Sequence, residues 1–211
     1  MTKALLNTIA HRWIAPLILV SLGIGSAHAA GDIEAGKARA TQGGCAGCHG
    51  VDGKGLTPAQ PNLAGQNANY LAKQLHEFKS GERNNAIMTG MAAGLSDEDI
   101  ENVSAFYESL PPIAGVAEKE DLQRGTDIYR GGISAAGIPA CSGCHGANGN
   151  GNPAAGWPAL SGQSAEYTKI QLEAFRSKLR ANDSNAMMRS IAERLTDAEI
   201  KAVSNFIMGL H

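Results

Sequence analysis

The sequence predicts an all-α chain built from two tandem copies of one helical domain. Two observations carry this. One set of residue strings occurs twice at a nearly constant separation, and within each copy the apolar residues recur at helical spacing with no strand pattern evident. Cys45-Ala46-Gly47-Cys48-His49 returns as Cys141-Ser142-Gly143-Cys144-His145. Pro61-Asn62-Leu63-Ala64-Gly65-Gln66 returns as Pro158-Ala159-Leu160-Ser161-Gly162-Gln163. Tyr70, Gln74, Leu75 and Phe78 match Tyr167, Gln171, Leu172 and Phe175, and Asn85-Ala86-Ile87-Met88 matches Asn185-Ala186-Met187-Met188. The separation widens by a few residues along the copy, so small insertions lie in loops. The unit is about 90 residues, a duplicated domain and not a short-period solenoid.

Taken in order, residues 1–29 read as a secretory leader. Lys3, His11 and Arg12 form the charged start, Trp13 to Gly25 the apolar stretch and Ala27-His28-Ala29 the cleavage site. An uncleaved anchor is the alternative, although the apolar run is short for a membrane span. Residues 30–112 then form the first domain, 113–118 a linker after Pro111-Pro112, and 119–211 the second domain. In each domain a first helix is expected, Gly31 to about Gln42 and about Asp121 to Tyr129. Gly/Pro-rich loops follow at Val51 to Gly65 and Ala147 to Gly162. Helices are next expected over Asn69 to Ser80 and Ala165 to Leu179. The last helices start at Ser96-Asp97-Glu98-Asp99 and Thr196-Asp197-Ala198-Glu199, which are capping boxes with acidic first turns. Ile100, Val103, Phe106, Tyr107 and Leu110 make one apolar stripe, repeated by Ile200, Val203, Phe206, Ile207 and Leu210.

Cys-x-x-Cys-His is the attachment motif of c-type haem: two thiols add to the porphyrin vinyl groups and the next histidine turns back to the iron. A lone Cys-x-x-Cys could equally be a redox dithiol or half of a zinc site. Here a histidine follows each pair, no cysteine is left over, and the surroundings repeat. Cys45, Cys48, Cys141 and Cys144 are therefore the attachment thiols of two haem c groups, with His49 and His145 on the irons. Pro61 and Pro158 offer carbonyls to fix those imidazoles, or serve only as turn residues. Met88 and Met188 stand at matching positions, in what reads as a loop without helical period, and are the expected opposite axial ligands. Met91, Met187 and Met208 are competitors; Met91 matches Ile191 and Met187 matches Ile87, so neither recurs. His76 and His211 have no counterpart and read as solvated, as do Lys73, Arg83, Lys169, Arg176 and Arg180, with a propionate contact as the alternative.

The chain has 211 residues, with 5% aromatic residues and a formal net charge of −2. A domain of this size with few aromatic residues makes a marginal core, so a haem is expected to be part of it. Without a basic patch nothing suggests nucleic-acid binding.

Together these residues resemble the dihaem cytochrome c4 family, over about Gly31 to Leu210. The resemblance implies two class I cytochrome c domains related by a pseudo-twofold. It implies a periplasmic electron carrier, soluble or loosely membrane-associated, with a quinol–cytochrome c reductase as donor and a terminal oxidase as acceptor. One departure stands out. Class I domains often carry Gly-x-x-x-aromatic in the first helix; Gly125 to Tyr129 fits, whereas Gly36 is followed by Ala40, so a lighter helix contact is expected in the first half. A dihaem peroxidase or sulfur-compound oxidising enzyme is the second reading, and a sensor or dehydrogenase subunit the third. The matched methionines and the short chain favour a carrier that is not an enzyme.

Overall fold

The computed structural model describes Met1 and residues 31–211. The leader, Met1 aside, lies outside the described residues. The first half contains α1 (Ile33–Gln42), α2 (Ala46–His49), α3 (Ala68–Ser80), α4 (Ala86–Ala93) and α5 (Asp97–Ser109). The second contains α6 (Leu122–Gly131), α7 (Ser142–His145), α8 (Ala165–Arg176), α9 (Met187–Ala192) and α10 (Asp197–Met208). Among the described residues there is no strand. Two isolated bridges, Ile133–Ile138 and Asn152–Trp157, each close a single 3-10 turn in the second half.

Local chemistry sets the helix ends. α1 starts later than expected because the Asp32 side chain caps it, accepting from the backbone N–H of Glu34 and Ala35. α8 stops short of Leu179, and Lys178 just beyond it turns left-handed at φ 64°. Both capping boxes form: Ser96 with Asp99, and Thr196 with Glu199, each side chain meeting the other residue's backbone N–H.

In each half the first helix crosses the last at backbone contact. A Cβ on Gly36 would lie 2.0 Å from the Asn102 carbonyl oxygen, and one on Gly125 would lie 2.2 Å from that of Ala202. Only glycine fits either crossing. The lighter packing expected in the first half is not found. Tyr107 on α5, fully buried, occupies the core beside Ala40 and meets Phe106 at 5.0 Å between ring centroids. In the second half the ring comes from α6 instead: Tyr129 meets Phe206 at 5.2 Å, and Ile207 stands where Tyr107 does. One aromatic volume has been moved from one helix to the other across the same crossing.

The halves meet through reciprocal contacts. Arg83 donates to Tyr167 Oη at 3.0 Å, and Arg180 donates to Tyr70 Oη at 2.9 Å. Such exchange of equivalent residues is the mark of a twofold relation, here a pseudo-twofold between domains.

Two measurements check these points. Tyr107→Ile should cost about 2–3 kcal/mol in thermal unfolding, and adding Ala40→Tyr should recover part of it, so that the pair costs less than the sum of the singles. The carboxylates of Asp99 and Glu199 are held below their usual range, first of all by the N-cap N–H groups. Their contribution is full above the ordinary carboxylate pKa of about 4 and fades as pH falls below it. Ser96→Ala or Thr196→Ala should each cost about 1 kcal/mol at neutral pH, whereas Asp99→Asn or Glu199→Gln, which remove the titrating group, should destabilise at neutral pH and cost less in acid.

Candidate functional site

The two Cys-x-x-Cys-His strings fold as single helical turns. His49 N–H bonds Cys45 O at 3.0 Å, and His145 N–H bonds Cys141 O at 2.9 Å. Cysteine, cysteine and histidine therefore stand at i, i+3 and i+4, the positions that share one helical face. Gly50 (φ 71°) and Gly146 (φ 83°) end each turn in the left-handed region. All four thiols are free and partly buried. Burial pushes the Cys45 thiol up, with Arg39 opposing, and pushes Cys141 up to about 11. A redox dithiol needs the opposite shift. Among the described residues no three His, Cys, Asp or Glu side chains gather as a metal cluster, so the two pairs do not combine into one zinc site.

Each histidine is buried and held through one nitrogen. His49 Nδ1 lies 3.1 Å from the Pro61 carbonyl oxygen, and His145 Nδ1 lies 3.0 Å from that of Pro158. A carbonyl only accepts, so Nδ1 carries the proton and donates. Nε2 keeps a lone pair and makes no hydrogen bond among the described residues. Burial lowers the pKa of both rings, partly offset by the carbonyl. A neutral, oriented imidazole with a free Nε2 is what a metal requires. Of the two roles open to the prolines, turn residue or acceptor, the structure shows the acceptor.

Met88 and Met188 are partly buried. Neither lies in an aperiodic loop: Met88 is in the first turn of α4 and Met188 in the first turn of α9. The Asn85 side chain caps α4 by accepting from Met88 N–H at 3.0 Å. The second half reaches its methionine differently. Asn185 (φ 54°) and Ala186 (φ 55°) are both left-handed, and Asp183 takes over as the anchor, accepting from Arg189 N–H at 2.9 Å and Arg189 Nε at 2.7 Å. Met188 packs on the second core with Cys141, Leu160 and Ile191. Of the competitors, Met91 lies over Gly44, where a Cβ would be 3.4 Å from its Cε, and Met208 is partly buried in α10.

Arg83 and Arg180 were expected on solvated faces and are instead buried between the halves, each stacked on the phenylalanine of its own half, Phe78 and Phe175. Arg83 donates to Gln74 at 2.8 Å and to Gln171 at 2.9 Å; Arg180 donates to Gln171 at 2.9 Å and to Gln74 at 3.1 Å. The carboxylate in this network is Glu77, which is shared by Lys73, Gln74 and Asn182. Lys73 is thus also drawn into the interface. Lys169 and Arg176 do pair at the surface, with Glu166 and Asp197. His76 and His211 are exposed, as expected.

These features test the fit to haem. Each half offers two thiols and one oriented imidazole on a single face, and the interface holds more buried cation than protein carboxylate. Buried charge requires a partner, and the propionates of a haem are anions of the right kind. The residues fit the group.

The comparisons agree. The cytochrome c family pattern matches residues 33–111 and 122–211. The chain is 44% identical to cytochrome c4 of Azotobacter vinelandii over 205 residues, covering 92% of this chain and 97% of that protein. It is 41% identical over 177 residues to the thiosulfate dehydrogenase electron acceptor of Stutzerimonas stutzeri strain A1501, covering 79% of this chain and 82% of that one. The crystal structure of reduced recombinant cytochrome c4 from Pseudomonas stutzeri superposes with a TM-score of 0.82 at 43% identity, over 86% of this chain and 100% of that chain.

The strain before Met188 is measurable. Ala186→Gly should raise the stability of the holoprotein by about 0.5–1 kcal/mol in thermal unfolding, because the left-handed backbone is then unopposed by a Cβ. By contrast, Arg83→Met removes hydrogen bonds to three buried or half-buried side chains and should cost about 3 kcal/mol.

Proposed function

We propose, from the premise that this chain belongs to the cytochrome c4 family of dihaem c-type cytochromes, that it is a periplasmic electron carrier with one histidine and one methionine on each iron. Covalent haem c and a role in electron transfer come with the family. The division into residues 30–112 and 119–211, joined by 113–118 and preceded by a leader over 1–29, is part of the proposal. In it Cys45 and Cys48 hold the first haem, with His49 and Met88 as axial ligands. Cys141 and Cys144 hold the second, with His145 and Met188.

Bound in this way, haem supplies reversible one-electron chemistry between ferric and ferrous iron. The chain's own residues do the rest. Pro61 and Pro158 fix the imidazoles in one tautomer and one orientation, so the nitrogen ligand need not move when the charge changes. As ligands, the sulfurs of Met88 and Met188 would exclude small ligands from the iron and favour its reduced state. Two sites closed in this way would leave no coordination position for a substrate, which favours a carrier over an enzyme.

The observation that carries this reading is the pair of neutral imidazoles, each tied at Nδ1 to the carbonyl of its own loop with Nε2 unengaged. For partners we propose a quinol–cytochrome c reductase as donor and a terminal oxidase as acceptor. The similarity to a thiosulfate dehydrogenase electron acceptor favours a second donor class, a sulfur-compound dehydrogenase. Among the described residues no helix is long and apolar enough to cross a membrane, so any membrane association of that part would be peripheral.

If the ligation is as proposed, the oxidised protein shows the weak red sulfur-to-iron charge-transfer band at an intensity proper to two haems, and the reduced protein does not bind carbon monoxide. Met88→Ala and Met188→Ala should each open one site and halve the band. Rapid carbon monoxide binding by the unsubstituted protein, or loss of the band in Met91→Ala in place of Met88→Ala, would overturn the assignment. Mixing the reduced donor candidates with oxidised protein in a stopped-flow instrument separates the two donor classes by rate.

A further inference from the structure

Gln66 and Gln163 are buried and reach across the interface to the same place in the opposite half. Gln163 Oε1 accepts the N–H of Asn62 at 2.9 Å, and Gln163 Nε2 donates to the Asn62 carbonyl at 2.9 Å. Gln66 Oε1 accepts the N–H of Ala159 at 2.8 Å, and Gln66 Nε2 donates to the Ala159 carbonyl at 2.8 Å. Each amide oxygen is also steadied from its own side, by the N–H of Asn67 at 3.0 Å and of Ser164 at 2.9 Å.

Asn62 and Ala159 are the residues directly after Pro61 and Pro158. The Pro61 carbonyl and the Asn62 N–H are the two ends of one planar peptide group. One end holds His49 and the other is held by Gln163. The Pro158–Ala159 peptide likewise stands between His145 and Gln66. Peptide resonance links the ends: an acceptor on the N–H draws charge toward the carbonyl oxygen and strengthens it as an acceptor, the cooperative effect of hydrogen-bond chains. A stronger acceptor on Nδ1–H makes the imidazole a more basic ligand, and a more basic ligand favours ferric iron.

We propose that Gln66 and Gln163 are crossed positioning residues, each lowering the reduction potential of the haem in the opposite half through the peptide that holds that half's histidine. The inference rests on the proposed ligation by His49 and His145. It makes the potential of each half depend on docking against the other, and it gives the two domains a reason to stay joined beyond stability.

The test uses the holoprotein with Gln163→Met and Gln66→Met, which keep length and remove the amide. Each haem's potential is followed separately by NMR of its ring methyl resonances, together with the Nδ1–H resonance of each ligand histidine in the reduced state. Gln163→Met should raise the potential of the haem on Cys45 and Cys48 and shift the His49 Nδ1–H, with a smaller change in its own half. Gln66→Met should do the converse. Tyr167→Phe, which removes an interface hydrogen bond to Arg83 without touching either peptide, should give no crossed pattern. In the unsubstituted protein the amides of Asn62 and Ala159 should be protected from exchange. Equal shifts in both halves, a larger shift in the mutated half, no shift, or free exchange of those two amides would overturn the proposal. If instead the unsubstituted protein lacked the His/Met charge-transfer band, the ligation itself would have failed.

Discussion

The structure depends on one hydrogen bond made twice: a buried imidazole giving its Nδ1 proton to a proline carbonyl in the loop that follows it. Proline at that point has no N–H to offer and a fixed φ, so the loop presents an acceptor and little else. The bond selects the tautomer and aims Nε2, while burial, which makes a charged imidazolium costly, keeps the ring neutral. The one-turn helices, their closing glycines and the long loops can be read as the means of bringing cysteine, cysteine, histidine and carbonyl to one spot.

Around that spot each half is a small helical shell that a flat apolar cofactor would complete. The two shells solve the same packing problem differently. Glycine at the helix crossing is common to both, whereas the ring beside it comes from α5 in one half and α6 in the other. The approach to the methionine also differs. The short insertion after Arg180 brings Asn182 to Gln74 and Glu77 and Asp183 to Arg189, at the expense of two left-handed residues before Met187. Two haems in such unlike surroundings need not share a potential. The interface buries two guanidiniums short of carboxylate partners and links each histidine's peptide to the other half.

Much of this was legible in the sequence. The repeated strings gave the domain plan, and Ser96 with Asp99 and Thr196 with Glu199 marked helix starts that the structure reproduces. Other features were written there but missed. Asn85 is a good N-cap residue, which signals that Met88 lies in the first turn of a helix. Arg83 and Arg180 keep the same separation as Tyr70 with Tyr167 and Gln74 with Gln171, a sign that they belong to the same interface. Tyr107 could not be matched to the absent ring at position 40, because the substitution is across the core and not along a helix. The left-handed Ala186 has no sequence signal at all, since alanine is a poor choice there on local grounds and only the surrounding contacts hold it.

The central claim is that each iron is closed by one imidazole nitrogen and one methionine sulfur from its own half. Iron-edge X-ray absorption on the purified holoprotein, oxidised and reduced, counts those neighbours directly. The account predicts about one sulfur scatterer per iron at a distance that hardly changes between the two states. A sulfur count near half that value, or a sulfur shell present in only one oxidation state, would contradict it.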